Sequence, residues 1–216
     1  MKKILVPTDF SKDSITALEA AVDVAKRMNY EIVLLHVVEE AMADSFSISG
    51  QGHTGDFEER RFTVELLKRA RKQLEKLVLD PKYSNVKITG ELRMGNPFHG
   101  MTTIIASHKV ELVVMGTRGH TKIEEMVIGT NTEKVIRHSH CPILTINKKP
   151  ATMDFKNIVY ATNMSKDEEV FSRIVKKAQH EYNATVHLLR VNTPGDFQRD
   201  RVVKEALEKF AKKLQL

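Results

Sequence analysis

The sequence holds one cysteine, Cys141. No disulfide can therefore form within the chain, and this usage fits a reducing cytoplasm. Long apolar runs are missing as well. The opening MKKILVPTDF sets two lysines ahead of an apolar stretch that ends at Pro7 and Asp9, far short of a signal-peptide core or a membrane span. Aromatic residues make up only 6% of the chain. They are not interleaved with Lys and Arg as a stacking surface for nucleic acid requires. The net charge of +6 is diffuse: Lys68, Arg69, Arg71 and Lys72 sit among acids in a pattern that reads as a solvated helix face. Neither a nucleic acid nor a membrane is expected as a partner. The Walker loop G-x-x-x-x-G-K-[ST], the dinucleotide motif G-x-G-x-x-G and the nucleophile elbow G-x-S-x-G are all absent, so readings built on those motifs lose support. His138, His140 and Cys141 form H-x-H-C, but that is not a zinc spacing and no second Cys/His cluster completes four ligands. No metal held by the protein alone is expected.

What is present is a regular alternation. The runs KKILVPT, EIVLLHVV, VKITGEL, ELVVMG and PILTIN are short and rich in Val, Ile and Leu. Four of them are near-continuous rather than alternating, the signature of parallel strands covered on both faces. Between them lie helical periodicities. Ile15, Leu18, Val22, Ala25 and Met28 recur at spacings of three and four, as do Phe62, Leu66, Ala70, Leu74 and Leu77. A shorter helix is expected from Pro97 to His108, with the proline in its first turn. Another should begin near Asn131, because Thr130 and Glu133 have capping-box spacing. The Ser/Gly-rich piece at 43–56 reads as a mobile loop. The fold class is α/β with a doubly wound parallel sheet, whose strand order periodicity leaves open. The 216 residues suffice for one large domain or two small ones.

The chain then repeats itself. A shift of 154 positions without a gap aligns KKILVPTDFSKD with KNIVYATNMSKD, and NYEIVLLHV with NATVHLLRV. Thr8/Thr162, Ser11/Ser165, Asn29/Asn183 and Leu35/Leu189 are among the identities, too many in one register for unrelated units. The expected organisation is a domain at 1–147, a linker at 148–155 and a partial second α/β repeat at 156–216. The second copy reaches Leu216 before any counterpart of ELVVMG, which reads as a shortened form of a longer tandem protein.

The stretch GTRGHTKIEEMVIGTNTE, residues 116–133, follows a strand at its carboxyl end. In open α/β sheets that is where ligands bind. Gly116 and Gly119 can take positive φ and let backbone N–H groups approach a ligand. After Gly129 a helix N-terminus with free N–H groups suits an anion, with Thr130 and Thr132 adding hydroxyls. Glycines after strands also serve tight turns, so spacing alone leaves both readings open. Asp9, just past the first strand, is an acceptor suited to a base amino group or a ribose hydroxyl. The second copy keeps Ser165 but has Asn163 and Ala161 where the first has Asp9 and Pro7. Ser11 is accordingly assigned as the helix cap and Asp9 as the ligand residue.

At these residues the chain resembles a universal stress protein. That family's nucleotide signature is Gly, two residues, Gly, nine residues, Gly, then Ser or Thr; Gly116, Gly119, Gly129 and Thr130 have that spacing. ILVPTDFS, LLHV and GNP at 95–97 are similar to further family segments. The resemblance implies a five-stranded parallel sheet of order 3-2-1-4-5, binding ATP or a related adenine nucleotide (ADP or AMP) across strands one and four. It implies that Asp9 and Val37 face adenine and that Pro7 and Thr8 line the pocket. Met115 would lie beneath the ligand, with Gly116, Gly119, Gly129, Thr130, Asn131 and Thr132 on ribose and phosphates. Arg118 is a further candidate for phosphate, and Mg²⁺ could accompany the phosphates. The resemblance also implies a homodimer through the fifth strand, 142–146. The expected role is a nucleotide-dependent regulatory module in stress response. A slow ATPase switch and a nucleotide-free dimerisation scaffold are the alternatives. General bases near the loop are few (His120, Glu124 and Glu125), which disfavours catalysis. An ATP-pyrophosphatase would need a glycine-rich loop after strand one, which PTDFSKDS does not supply.

Overall fold

The computed structural model describes residues 1–39, 55–117, 130–148, 153–165 and 168–215, with the backbone alone at 55–59 and 169–171. It divides into two compact units, Met1–Ala151 and Thr152–Leu216. The first unit runs β1 (Lys3–Pro7), α1 (Lys12–Met28), β2 (Glu31–Val38), α2 (Gly55–Val78), β3 (Ile88–Met94), α3 (Pro97–Ser107), β4 (Val110–Gly116), α4 (Thr130–His138) and β5 (Ile143–Ile146). Its five strands form one sheet in the order β3-β2-β1-β4-β5, and every pairing is parallel. This is the doubly wound α/β architecture and the strand order that the resemblance implies.

Burial follows the apolar pattern. Ile4, Leu5, Val6, Val33, Leu34 and Val113 are fully or almost fully buried, as central strands covered on both faces must be. The outer strand β3 is largely exposed. Helix α1 buries Leu18, Val22 and Ala25, and it closes at Asn29, whose left-handed backbone returns an N–H to Ala25. Helix α2 departs from its predicted stripe. Ala70 and Leu74 are buried, but Phe62 stands 64% exposed. The sheet engages the later turns, where Leu74 and Val78 lie against Gly90 of β3. The predicted loop at 43–56 falls mostly outside the described residues; its last two residues already belong to α2.

The second unit contains β6 (Asn157–Ala161), α5 (Glu169–Tyr182), β7 (Thr185–Leu189) and α6 (Asp200–Leu214). Its core gathers Tyr160, Phe210 and Leu214, with Val175, Val186 and Leu188 packed against them. The offset of 154 read from the sequence is reproduced in the backbone. β1 pairs β2 with Lys3 opposite Glu31 and Pro7 opposite Leu35. β6 pairs β7 with Asn157 opposite Thr185 and Ala161 opposite Leu189. Both strand-to-helix turns also use one hydrogen-bond scheme. Thr8 and Thr162 donate their N–H to Leu35 and Leu189. Their hydroxyls accept from Phe10 and Met164, two residues with left-handed φ of 63° and 60°.

The hydrogen bonding of the two turns parts at Ser14 and its counterpart. Ser14 in the first unit shares a hydrogen bond with the Thr8 hydroxyl at 3.0 Å. Its counterpart 154 residues on is Glu168. The Glu168 carboxylate accepts from the Thr162 hydroxyl, from the Asn163 N–H at 3.0 Å and from the Tyr160 phenol at 3.3 Å. Burial pushes that phenol's pKa up, and the Glu168 charge adds to the effect. The strand-end corner of the second unit is thus occupied by the chain's own carboxylate. Replacing Glu168→Ala leaves three donors without this acceptor and should cost about 1–3 kcal/mol. Denaturant unfolding, with faster amide exchange at Asn163, is the check.

Candidate functional site

Parallel pairing brings the carboxyl ends of β1, β2 and β4 to one edge. There the first unit opens a cleft of about 510 Å³, within the usual size range for small-ligand sites. Nine of the twelve residues named from the sequence line it: Pro7, Thr8, Asp9, Val37, Met115, Gly116, Thr130, Asn131 and Thr132. The other three, Arg118, Gly119 and Gly129, lie outside the described residues, as do His120, Glu124 and Glu125. The cleft also takes in Ser14, Glu39, Met101 and Lys134, which the sequence reading did not single out, and Asn96 of the GNP segment, which it did not place at the site.

The β1–α1 turn is built by hydroxyls. Ser11 caps α1, accepting the Ser14 N–H at 3.2 Å, as expected. The Ser14 hydroxyl donates to the Ser11 carbonyl, so the Thr8 hydroxyl hydrogen is assigned to Ser14 Oγ at 3.0 Å. Thr8 is 6% exposed and its side chain is committed to the turn. From the adjacent strand, His36 Nδ1 lies 2.7 Å from the Thr8 carbonyl. A carbonyl only accepts, so this nitrogen carries a hydrogen. The ring also stacks on Phe10 at 4.3 Å. Asp9, held on this framework, accepts the Ser11 N–H at 3.0 Å through one oxygen. The expected division of labour is therefore incomplete: Asp9 lines the cleft and also shapes the turn, as Asn163 does with Ser165 in the second unit.

The β4–α4 side differs from expectation in three respects. Gly116 does not adopt positive φ; Gly95, at 104°, is the only described glycine that does. What Gly116 supplies is proximity, since a Cβ there would sit 3.2 Å from the backbone of Asp13 in α1. Thr132 is 5% exposed, and its hydroxyl donates to the Gly116 carbonyl at 3.2 Å. It ties α4 to β4 and has no hydrogen left to donate to a ligand. Helix α4 begins at Thr130, and Glu133 pairs with Arg137 at 2.9 Å where the capping box had it reaching back. One turn of helix brings that guanidinium within range.

The opposite wall comes from α3. Gly95, which accepts its left-handed backbone without penalty, turns the chain after β3. Asn96 then caps α3 by accepting from the Phe98 and His99 N–H groups. Gly100 leaves room for Val37, whose methyl would be 2.9 Å from an added Cβ.

His138 meets the Phe98 ring edge-on at 5.9 Å, and the Cys141 thiol donates to the Val110 carbonyl. Among the described residues no group of three or more His, Cys, Asp or Glu could hold a metal. Burial pushes the Cys141 thiol up to about 11, with the charge of Glu111 adding to it.

Gly116→Ala should destabilise the protein by about 1–3 kcal/mol, because the new methyl meets backbone that cannot rotate away; urea unfolding checks it. At pH 8 the folded Cys141 should hold roughly a hundredfold less thiolate than an ordinary cysteine. Iodoacetamide should then label the native protein far more slowly than the unfolded chain, a gap that narrows as pH rises toward the thiol's pKa.

Comparison with known proteins agrees with this geometry. The model of the universal stress protein family matches residues 1–147. Universal stress protein MJ0531 of Methanocaldococcus jannaschii is 33% identical over 148 residues, covering 68% of this chain and 82% of that protein. Universal stress protein YxiE of Bacillus subtilis is 31% identical over 144 residues, covering 67% and 97%. Among solved structures, a universal stress protein from Archaeoglobus fulgidus resembles this fold with a TM-score of 0.67 at 22% identity, covering 96% of this chain and 74% of that one. With the family model spanning most of its length, the chain belongs to the universal stress protein family.

Proposed function

We propose that the first unit binds an adenine nucleotide, ATP or its ADP and AMP relatives, in the cleft beside β1 and β4. In this reading the protein is a nucleotide-dependent regulatory module of the stress response. The observation that carries the reading is convergence. Asp9 and Val37 from the first two strands share one cleft with Gly116, Thr130 and Asn131 from the glycine signature, although more than a hundred residues separate Asp9 from Gly116. Val37 gives a flat base an apolar wall, and Asp9 gives an acceptor for an amino or hydroxyl group. The first turn of α4 turns its N-terminal dipole toward phosphate. Arg118, Gly119 and Gly129 complete the set on the signature's spacing. Mg²⁺ would accompany the phosphates, held by them and by water.

A slow ATPase is the second reading, resting on His120, Glu124 and Glu125 within the signature segment. Homodimerisation through β5 is a further part of the proposal. Among the described residues that strand lies at the edge of the sheet, paired to β4 alone, and an edge strand is a template for another strand. A cytoplasmic location fits the single, buried Cys141. Among the described residues no helix is long and apolar enough to cross a membrane.

Mass spectrometry of the purified protein should find adenine nucleotide. ATP at a hundred times its Kd should raise stability by about 2.7 kcal/mol, and Gly129→Val, which adds a branched side chain within the signature, should abolish that shift. An unchanged shift in the variant removes the proposal. Phosphate release from ATP and Mg²⁺ in a single turnover would move the protein to the ATPase reading.

A further inference from the structure

We propose that Lys134 contacts the phosphates and sets how strongly the cleft discriminates between nucleotides by phosphate number. The inference rests on the nucleotide reading of the same cleft. Lys134 follows Thr130 by four residues on α4, one helical turn, so the two side chains share a face. Both line the cleft. Among the described residues Lys134 is the one lysine or arginine that does so, whereas the carboxylates of the lining, Asp9 and Glu39, come from the ends of β1 and β2. The cleft is therefore polarised along its length, negative beside β1 and β2 and positive beside α4.

Neighbouring charges on α4 are already matched. Glu133 holds Arg137 at 2.9 Å, and Arg137 does not line the cleft. Lys134 is exposed and has no carboxylate partner among the described residues. A matched surface lysine would need no ligand to account for it. An unmatched one on a cleft wall, one turn into a helix whose N-terminus faces the same space, adds a mobile ammonium to a site already favourable to anions. An ammonium is a point charge with three donors, and it serves any non-bridging phosphate oxygen without demanding one geometry. Its attraction grows with the charge of the phosphate chain, while adenosine bound at Val37 and Asp9 would not feel it.

The test is a calorimetric titration of the full chain with ATP, AMP and adenosine. It uses the wild type, Lys134→Gln and Lys134→Arg, each at low and physiological salt. Lys134→Gln should lose about tenfold in ATP affinity, as expected for one exposed charge-assisted contact. It should lose less for AMP and nothing for adenosine, and its ATP affinity should depend less on salt. Lys134→Arg should stay close to wild type. Equal losses for ATP and adenosine would make Lys134 a structural residue and overturn the inference. Full ATP affinity in Lys134→Gln would overturn it as well, while leaving the nucleotide reading intact. A wild type that binds neither ATP nor adenosine would overturn that reading and this inference together.

Discussion

Parallel pairing of β1 between β2 and β4 is the constraint on which the rest of this molecule depends. Strands that run the same way must be joined by crossovers. Each crossover helix begins at the edge where the preceding strand ends. Pro7–Asp9, Leu35–Glu39 and Met115–Gly116 arrive at one edge for that reason, and so do the first turns of α1, α3 and α4. Helix N-termini bring unsatisfied N–H groups and a positive dipole end. Ser11 and Asn96 answer part of that demand at α1 and α3. The cleft is the space the remaining groups surround.

Several polar atoms of its walls are occupied by one another. Thr8 and Ser14 share a hydrogen bond, Thr132 holds the Gly116 carbonyl and His36 holds the Thr8 carbonyl. Two glycines remove bulk where backbones or branched side chains converge, Gly116 against Asp13 and Gly100 against Val37. These bonds and close approaches are made within the framework. They frame Asp9, itself tied to the Ser11 N–H, and Val37 against Gly100, and groups placed in advance leave less ordering entropy to be lost when a ligand arrives.

This division between framework and ligand-facing groups was only partly legible in the sequence. Near-continuous apolar runs gave the strands, and three- and four-residue spacings gave the helices, because both depend on local periodicity. The cap at Ser11 was legible for the same reason: the cap and its N–H are three residues apart. Strand order came through the family resemblance, since order depends on contacts between segments far apart in the chain. Thr8 lines the cleft as the resemblance implies, but the hydroxyl role read for Thr132 is spent within the fold. A hydroxyl near a ligand site looks like a donor to the ligand until its distant partner is known, here the Gly116 carbonyl. Phe62 shows the same limit, for its place in an apolar stripe does not ensure that the sheet extends beneath it. Asn96 was legible only as part of GNP ahead of the Pro97 helix, not as a wall of the cleft, and nothing in the immediate neighbours of Lys134 marks it. Only the fold sets them on the rim of the cleft.

The internal repeat separates what the strand-to-helix turn needs for folding from what it needs for a ligand. Both copies keep the threonine hydroxyl, the left-handed residue after the Asx position and the return bond to the second strand. Asp9 and Asn163 both close the turn through a side-chain oxygen, so the negative charge of Asp9 is not required for the turn. Ser14 and Glu168 both reach the threonine hydroxyl, yet only Glu168 extends far enough to take the backbone N–H of the Asx residue as well. In the second unit the acceptor at the strand end comes from the chain itself. In the first, a short serine in that place leaves the strand end lining an open cleft, and Asp9 lines the same space. A corner that needs no ligand to be satisfied and a corner left open differ by these two side chains on one backbone. The physical case for a ligand in the first unit therefore rests less on its glycines than on a serine too short to fill the corner itself.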